Sequence, residues 1–598
     1  MGNGQRQDWF KQAVGAFARD RRGNVAMMWG IMAIVLVGIS GLALDFTRAQ
    51  TMRTRLQNAA DGAALVAERS SNLTMAQRTA AARAFFDAEM GEFAQDATFS
   101  VTQVASGGHR VDANIPMPVS LARVISRDDW DIGVAAEAQA QASPPIEVAL
   151  VLDNTGSMAN DMQALRDAAE DLAEYLLSLD GDTVSVALVP FVAQVNIGTS
   201  GPQMAWMDTV GNNPHHGEFL EDRQLQTRPA YQNSCANTQR FPTTVANAPT
   251  TSGGAAYQVR WVYNLLANTC TAYNPTQINM FDLYRTLPGA VRGWGGCVEA
   301  RPPPYDITDD APNPAVPATM FVPYFANDEG GDDTDSNNWL TEATPNLFAA
   351  TNTSGITNTA TARTLSVFKY RSNATLNVSF TQPEMRGPQR GCPQPIVPLT
   401  TDRTTMRDAI RAMVHSNGGG TNQTEGLAWG WRVLSPGAPF TQGRSGGTDE
   451  VRKVIVLMTD GDNTSLDNDN AAFESDYSSY QHRRLWRDYQ FNLLGFLGNL
   501  AAILPTWQRT GITNSTSMVN YINNRQTQLC NAIKAQDIEI YTIQFRDAGG
   551  ANQARLMNCA TAPATGPEGH YFQAANAAQL QQAFSAIGSG IGKLRLTQ

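Results

Sequence analysis

The chain has 598 residues, room for about four structural units at roughly 150 residues each. Charged residues make up 17% of it, the net charge is −11 and hydrophobic residues reach 42%, which excludes a basic nucleic-acid binder, wholesale disorder and a multi-span membrane protein. The 49 glycines and 30 prolines point to long, neutral loops between the regular elements.

Residues 1–24 form a basic N-terminus. The run 25–44, VAMMWGIMAIVLVGISGLAL, carries no charge and has the length a helix needs to cross a bilayer. A cleaved signal peptide is the rival reading, but its apolar region is shorter and ends in small residues, whereas Asp45-Phe46-Thr47-Arg48 follows here. Arg6, Lys11, Arg19, Arg21 and Arg22 precede the span and Arg48, Arg53 and Arg55 follow it, which places the N-terminus in the cytoplasm and the rest outside. Six widely spaced cysteines, Cys235, Cys270, Cys297, Cys392, Cys530 and Cys559, include no C-x-x-C pair for zinc or redox chemistry. Buried thiols in a reducing compartment and disulfides in an oxidising one both fit an even count. The span favours disulfides, with their pairing open.

After the span, the proline-free run 45–69 predicts a helix continuing out of the bilayer, and 75–90 a second helix. Alternating runs at 99–104, 110–121 and 131–140 predict a small antiparallel sheet. The segment Arg21 to Arg69, RRGNVAMMWGIMAIVLVGISGLALDFTRAQTMRTRLQNAADGAALVAER, resembles the N-terminus of TadE/TadG-like proteins of the tight-adherence (Flp) pilus system. Pilin-like members carry Glu-Tyr after a processing glycine. The equivalents here are Asp45-Phe46 after Gly41, a departure that implies a permanent anchor. The resemblance implies a pilin-like α+β region over 45–143.

Ser143-Pro144-Pro145 breaks the chain, and IEVALVLD (146–153) begins a buried strand. A helix at 161–179, a strand at 183–190, helices at 404–415 and 423–434, a strand at 453–459, a helix at 518–535, a strand at 538–545 and a final helix at 575–587 follow. This alternation predicts an α/β, doubly wound, mostly parallel sheet, whose ligands bind beyond the carboxyl ends of its strands. Three segments belong at such ends: Asp153-Asn154-Thr155-Gly156-Ser157, Gly418-Gly419-Gly420-Thr421 and Thr459-Asp460-Gly461-Asp462. Their side chains offer hydroxyls and carboxylates, hard oxygens suited to Mg²⁺, Mn²⁺ or Ca²⁺ and not to zinc.

These segments resemble the metal-ion-dependent adhesion site (MIDAS) of von Willebrand factor type A domains, Asp-x-Ser-x-Ser with a distant Thr and a distant Asp. Asp153, Thr155, Ser157, Thr421 and Asp460 occupy the matching positions, with threonine in place of the first serine. The resemblance implies hydroxyls bound to the ion, carboxylates acting partly through water, and a position open to a partner's Asp or Glu. It further implies a von Willebrand A domain over 146–592 with its core in 146–195, 400–462 and 516–592. A disulfide-tied inserted subdomain would fill 196–399, and a second insertion 463–515. The phrases WGGCVEARPPPYDITDDAP (294–312) and ATMFVPYFANDE (318–329) look like TadG-type proteins. Alongside this resemblance the pairing proposed is Cys530–Cys559, Cys297–Cys392 and Cys235–Cys270.

Other signals carry less. Asp328 to Asn337 has the start of an EF-hand spacing but Asn338 and Thr344 where Gly and Glu are needed, and reads as a solvated loop, as does Asp467 to Asn470. His215-His216-Gly217-Glu218 reads as loop. Gly588-Ser589-Gly590-Ile591-Gly592-Lys593 lacks the spacing of a phosphate loop and reads as a frayed helix end. No Cys/His arrangement points to a nucleophile. The expected function is a non-enzymatic pilus-assembly component, single-pass in a bacterial inner membrane with its C-terminal domain periplasmic, binding other envelope proteins through a metal. The alternatives are an adhesin binding surface ligands directly, on the cell surface, and a metal-assisted hydrolase.

Overall fold

The computed structural model describes residues 23–597 apart from 70–72, 105–107, 120–128, 139–143, 180–182, 222–223, 238–240, 242, 246, 330–336, 342–365, 378–385, 446–449, 467–475, 484–486, 491–505, 510–511, 547–549, 564 and 567–568. The chain forms two compact units, Met1–Ser143 and Pro144–Gln598.

In the first unit a single helix, α1 (Gly23–Arg69), merges the predicted span and its extension. It is the one helix among the described residues long and apolar enough to cross a membrane. Its apolar side chains up to Leu44 face outward, whereas beyond them one stripe, Leu56, Ala59, Ala60, Ala63 and Ala67, is fully buried. Small alanines let α2 (Met75–Met90) approach closely, and Thr74 with Gln77 caps that helix reciprocally. Strands β1 (Thr98–Gln103), β2 (His109–Met117) and β3 (Trp130–Ala138) pair antiparallel in that order. Alternation puts Val111, Ala113, Ile115, Ile132, Val134 and Ala136 inward, onto the helices. The three runs read from sequence are strands, although 120–121 and 139–140 lie outside the described residues.

The second unit is built on an eight-stranded sheet. Its central strands are β4 (Ile146–Asp153), β5 (Val184–Phe191), β12 (Arg452–Thr459), β15 (Glu539–Phe545) and β16 (Tyr571–Ala574), paired parallel in the order β5-β4-β12-β15-β16. Strands β6 (Val195–Asn196), β10 (Cys297–Val298) and β11 (Val397–Thr400) extend the β5 edge antiparallel. The strand-to-strand direction therefore reverses between β4 and β12, where a doubly wound sheet opens its ligand crevice.

Helices cover both faces, so the central strands are near-continuous apolar runs and not alternating ones. On one face Val148, Leu150 and Leu152 pack against α3 (Met162–Ser178), α5 (Arg403–Ala412) and α9 (Ala577–Thr597). On the other, Ala149 and Val151 meet α6 (Gln423–Leu434), α7 (Ser515–Lys534) and α8 (Gly550–Cys559).

Residues 196–399 contain a three-stranded sheet, β7 (Gln224–Pro229), β9 (Thr269–Tyr273) and β8 (Arg260–Asn264) in that order, and a short helix α4 (Met280–Thr286). They do not stand apart as expected. Strands β10 and β11 belong to the main sheet, and Trp206, Ile307 and Phe321 enter its core. Conversely, Tyr477 from the second insertion joins the aromatic cluster of Phe219, Tyr284, Tyr324, Phe325, Trp339 and Tyr370. That insertion also holds a hairpin of β13 (Arg487–Gln490) and β14 (Thr506–Arg509).

Three other readings change. Gly588 to Lys593 is helical, because Gly588 and Gly592 let α9 lie against Tyr175: a Cβ at Gly592 would stand 2.6 Å from the Tyr175 hydroxyl. The flanks of the supposed solvated loop are buried, since Asp328 Oδ1 accepts from the backbone of Trp339 (2.8 Å) and Leu340 (2.7 Å) and its Oδ2 pairs with Lys369. Asp333 and Asp335, like Asp467 to Asn470, fall outside the described residues. His215 and His216 lie in a turn segment but are buried. Disulfides join Cys235–Cys270, Cys297–Cys392 and Cys530–Cys559, the pairing proposed from sequence.

Candidate metal centre

Neighbouring parallel strands end together, so β4 and β12, in register through Leu152 and Met458, bring Asp153 and Asp460 to the crevice. Past Asp153 the chain turns through a short 3-10 segment, Gly156–Asn160, into α3. The turn folds its hydroxyls back onto the strand end. Thr155 donates to Asp153 Oδ1 from its backbone (2.9 Å) and its Oγ1 (2.6 Å), and Thr155 Oγ1 lies 2.9 Å from Ser157 Oγ. Ser157 Oγ donates to Asp460 Oδ1 at 2.8 Å, and Thr459 Oγ1 donates to Asp153 Oδ2 at 2.7 Å. The four side chains thus form one contiguous cluster of oxygens between the two strand ends, in which each hydroxyl gives its proton to a carboxylate and the Thr155–Ser157 pair is a close oxygen–oxygen contact.

Thr421 arrives on a different support. Gly418, Gly419 and Gly420 all have positive φ, and a Cβ at Gly420 would lie 2.4 Å from the Thr464 carbonyl. That close approach lets Thr421 N donate to Thr464 Oγ1 (2.8 Å) and Thr464 N to Thr421 O (2.9 Å). Asn422 then caps α6 by accepting from Glu425 N. Thr421 is buried beside the crevice but is not part of the oxygen cluster formed by the other four residues.

Polar residues that the sequence reading missed hold the Asp460 loop. Gly461 O accepts from Gln423 Nε2 and Asn552 Nδ2, both at 2.8 Å, and Asp462 pairs with Arg555 at 2.9 Å. Gln423, Gln526 and Asn552 are fully buried. Their signal in the sequence was faint: isolated amides on the apolar faces of α6, α7 and α8. On the rim, Arg546 pairs with Asp161 at 2.7 Å.

Electrostatics make the centre costly without a cation. Burial, then the charge of Asp460, push Asp153 up to about 7 against the hydrogen bonds from Thr155 and Thr459. Burial likewise raises Asp460 above its ordinary value, against the bond from Ser157. Two carboxylates and three hydroxyls are all hard oxygen donors, and a divalent cation among them would supply the charge that burial and mutual repulsion require. Among the described residues no group of three or more His, Cys, Asp and Glu side chains forms a metal cluster, so any site here depends on the hydroxyls.

The buried Asp208–His216 pair (2.9 Å) could suggest a catalytic dyad, but His216 Nε2 accepts from Met280 N at 2.9 Å and is committed to holding the start of α4.

Residues 23–84 match the family described as "Putative Flp pilus-assembly TadE/G-like". No curated protein matches the chain. Among solved structures, the chain is similar to the pilus adhesin SpaC from Lactobacillus rhamnosus GG (10% identity, TM-score 0.28, 83% of this chain and 34% of that one). It is also similar to the vWF domain of the type V pili tip protein Mfa5 from Porphyromonas gingivalis (10%, TM-score 0.28, 75% and 96%). A third is the PilB minor pilin from Streptococcus sanguinis (12%, TM-score 0.28, 83% and 78%). The match spans about a third of the SpaC chain. Scores of this size do not establish a common fold.

Proposed function

We propose that this protein, whose residues 23–84 are a TadE/G-like Flp pilus-assembly region, is a membrane-anchored component of a pilus-assembly machine that binds a partner protein through a divalent cation. Its second unit is then a von Willebrand A type domain. The carrying observation is the contiguous oxygen cluster of Asp153, Thr155, Ser157 and Asp460 at the reversal point of the sheet. Asp153, Thr155, Ser157, Asp460 and the adjacent Thr421 would hold the ion, Mg²⁺ or alternatively Mn²⁺ or Ca²⁺, and the bound ion would offer an open position to a partner's carboxylate.

The protein's own residues prepare that contact. Thr155 and Thr459 fix both oxygens of Asp153, Ser157 orients Asp460, and the Gly418–Gly420 turn sets Thr421. With α1 as the anchor and the basic residues before it on the cytoplasmic side, the cation face lies outside the cytoplasm, in the periplasm of an inner-membrane protein.

The test is a cross-linking pull-down of the full chain from envelopes with Mg²⁺ or with chelator, beside the Asp153→Ala variant. A pilus component recovered only by the wild type with Mg²⁺ is expected. Equal recovery in chelator would sink the cation mechanism. Intact fibres but poor attachment in a deletion strain would favour the adhesin reading over assembly.

A further inference from the structure

Among the described residues, the large hydrophobic side chains with the highest fractional exposure are Leu266, 98% exposed, and Leu265, 76% exposed. They are neighbours at the tip of the β8–β9 hairpin. The turn is held by its own hydrogen bonds: Asn264 Oδ1 accepts from the backbone of both Leu266 and Ala267 at 3.1 Å, and the Tyr263 hydroxyl donates to Asn268 Oδ1 at 3.1 Å. The Cys235–Cys270 disulfide ties down the strand directly behind it. A fold that orders a turn and then leaves two leucines in water forgoes the gain of burying them.

Charge indicates what covers them. Residues 224–281 contain Arg228, Arg240 and Arg260 and no Asp, Glu or Lys, in a chain whose net charge is −11. Arg260 and the exposed Val262 lie on the outward face of β8, in line with the tip. Four residue steps along the strand carry the chain from Arg260 to Asn264, about 13 Å. That spacing suits side chains inserted roughly 5–10 Å below the headgroups of a bilayer, with the guanidinium at headgroup level. Tyr231, 37% exposed, follows β7 at the same end of the sheet and supplies an interfacial aromatic.

We propose that the β8–β9 turn is a second membrane contact of this protein, Leu265 and Leu266 entering a bilayer that contains anionic phospholipid. The contact is separate from α1 and independent of the cation centre. It is tested with the full chain held in phosphatidylcholine nanodiscs, mixed with vesicles of phosphatidylcholine with or without phosphatidylglycerol, in chelator, and read as co-flotation. The wild type floats with the anionic vesicles. Leu265→Ser with Leu266→Ser lowers the partition at least about tenfold, Leu265→Trp with Leu266→Trp preserves it, and Arg260→Ser removes the preference for phosphatidylglycerol. An unchanged thermal midpoint in the serine variant shows that the fold is intact. The proposal is overturned if the wild type does not float, if the serine variant floats equally, or if the tip is protected only by a captured protein.

Discussion

Asp153 sits at the end of a strand whose every residue is buried, where a carboxylate is costly unless its charge is answered. Its two oxygens are bound by Thr155 and Thr459, so each hydroxyl should matter to ion affinity without touching the fold. Thr459→Val should weaken Mn²⁺ binding by about 10–100-fold, the usual effect of losing an outer partner, and Asp153→Ala by at least as much; calorimetric titration reads both. A second buried carboxylate titrates in a useful range. Burial, opposed by bonds from the Tyr477 hydroxyl and Gln481 Nε2, pushes Glu299 up to about 8. The folded state therefore keeps a proton that the unfolded chain releases above its ordinary value near 4.5. Stability should fall as pH rises across that window, by up to about 1.4 kcal/mol per pH unit. Denaturant titrations at several pH values should show this slope, and Glu299→Gln should lessen it, leaving the share of Glu329 and Asp153, which burial pushes up to about 8 and about 7. The five proposed ligands could be read from the sequence because the spacing Asp-x-Thr-x-Ser and the positions of Thr421 and Asp460 recur as a pattern. Thr459, Asp161 and Arg546 could not, because their roles depend on which strand ends meet.

Among the elements, the long apolar strands and amphipathic helices were legible within a few residues, except that α9 runs ten residues beyond its expected end. Many short ones were not, β16 and α8 among them. Strand β16 is four residues of mixed polarity, paired only through β15, and α8 has no clear apolar period before its partners are known. The three glycines before Thr421 were read as a loop, but their physical need is the close pass over Thr464. Gly420→Ala should therefore destabilise the protein by about 1–3 kcal/mol and weaken ion binding in the same titration. Gly437→Ala, at a position with open space and ordinary φ, should leave both within about 0.5 kcal/mol.

For the whole molecule, the sheet was legible and the interleaving of its insertions was not. Local periodicity reports β4 or α6, but the insertion of Phe321 beside Trp429, or of Tyr477 beside Tyr324, joins residues more than a hundred positions apart. The disulfide Cys297–Cys392 closes the longest of the three loops, a separation of 95, and fastens β10 to the segment leading into β11. Replacing both cysteines with alanine should cost about 2–5 kcal/mol, read by thermal unfolding of the full chain.

The proposed cation centre makes one demand of the molecule, that Asp153 and Asp460, at the ends of the paired strands β4 and β12, share an ion. Manganese binding to the full chain, followed by electron paramagnetic resonance with magnesium as competitor, measures that directly. One saturable ion per chain, displaced by magnesium and lost in both Asp153→Ala and Asp460→Ala, is the predicted result. No saturable binding, or binding that survives both substitutions, would contradict the account.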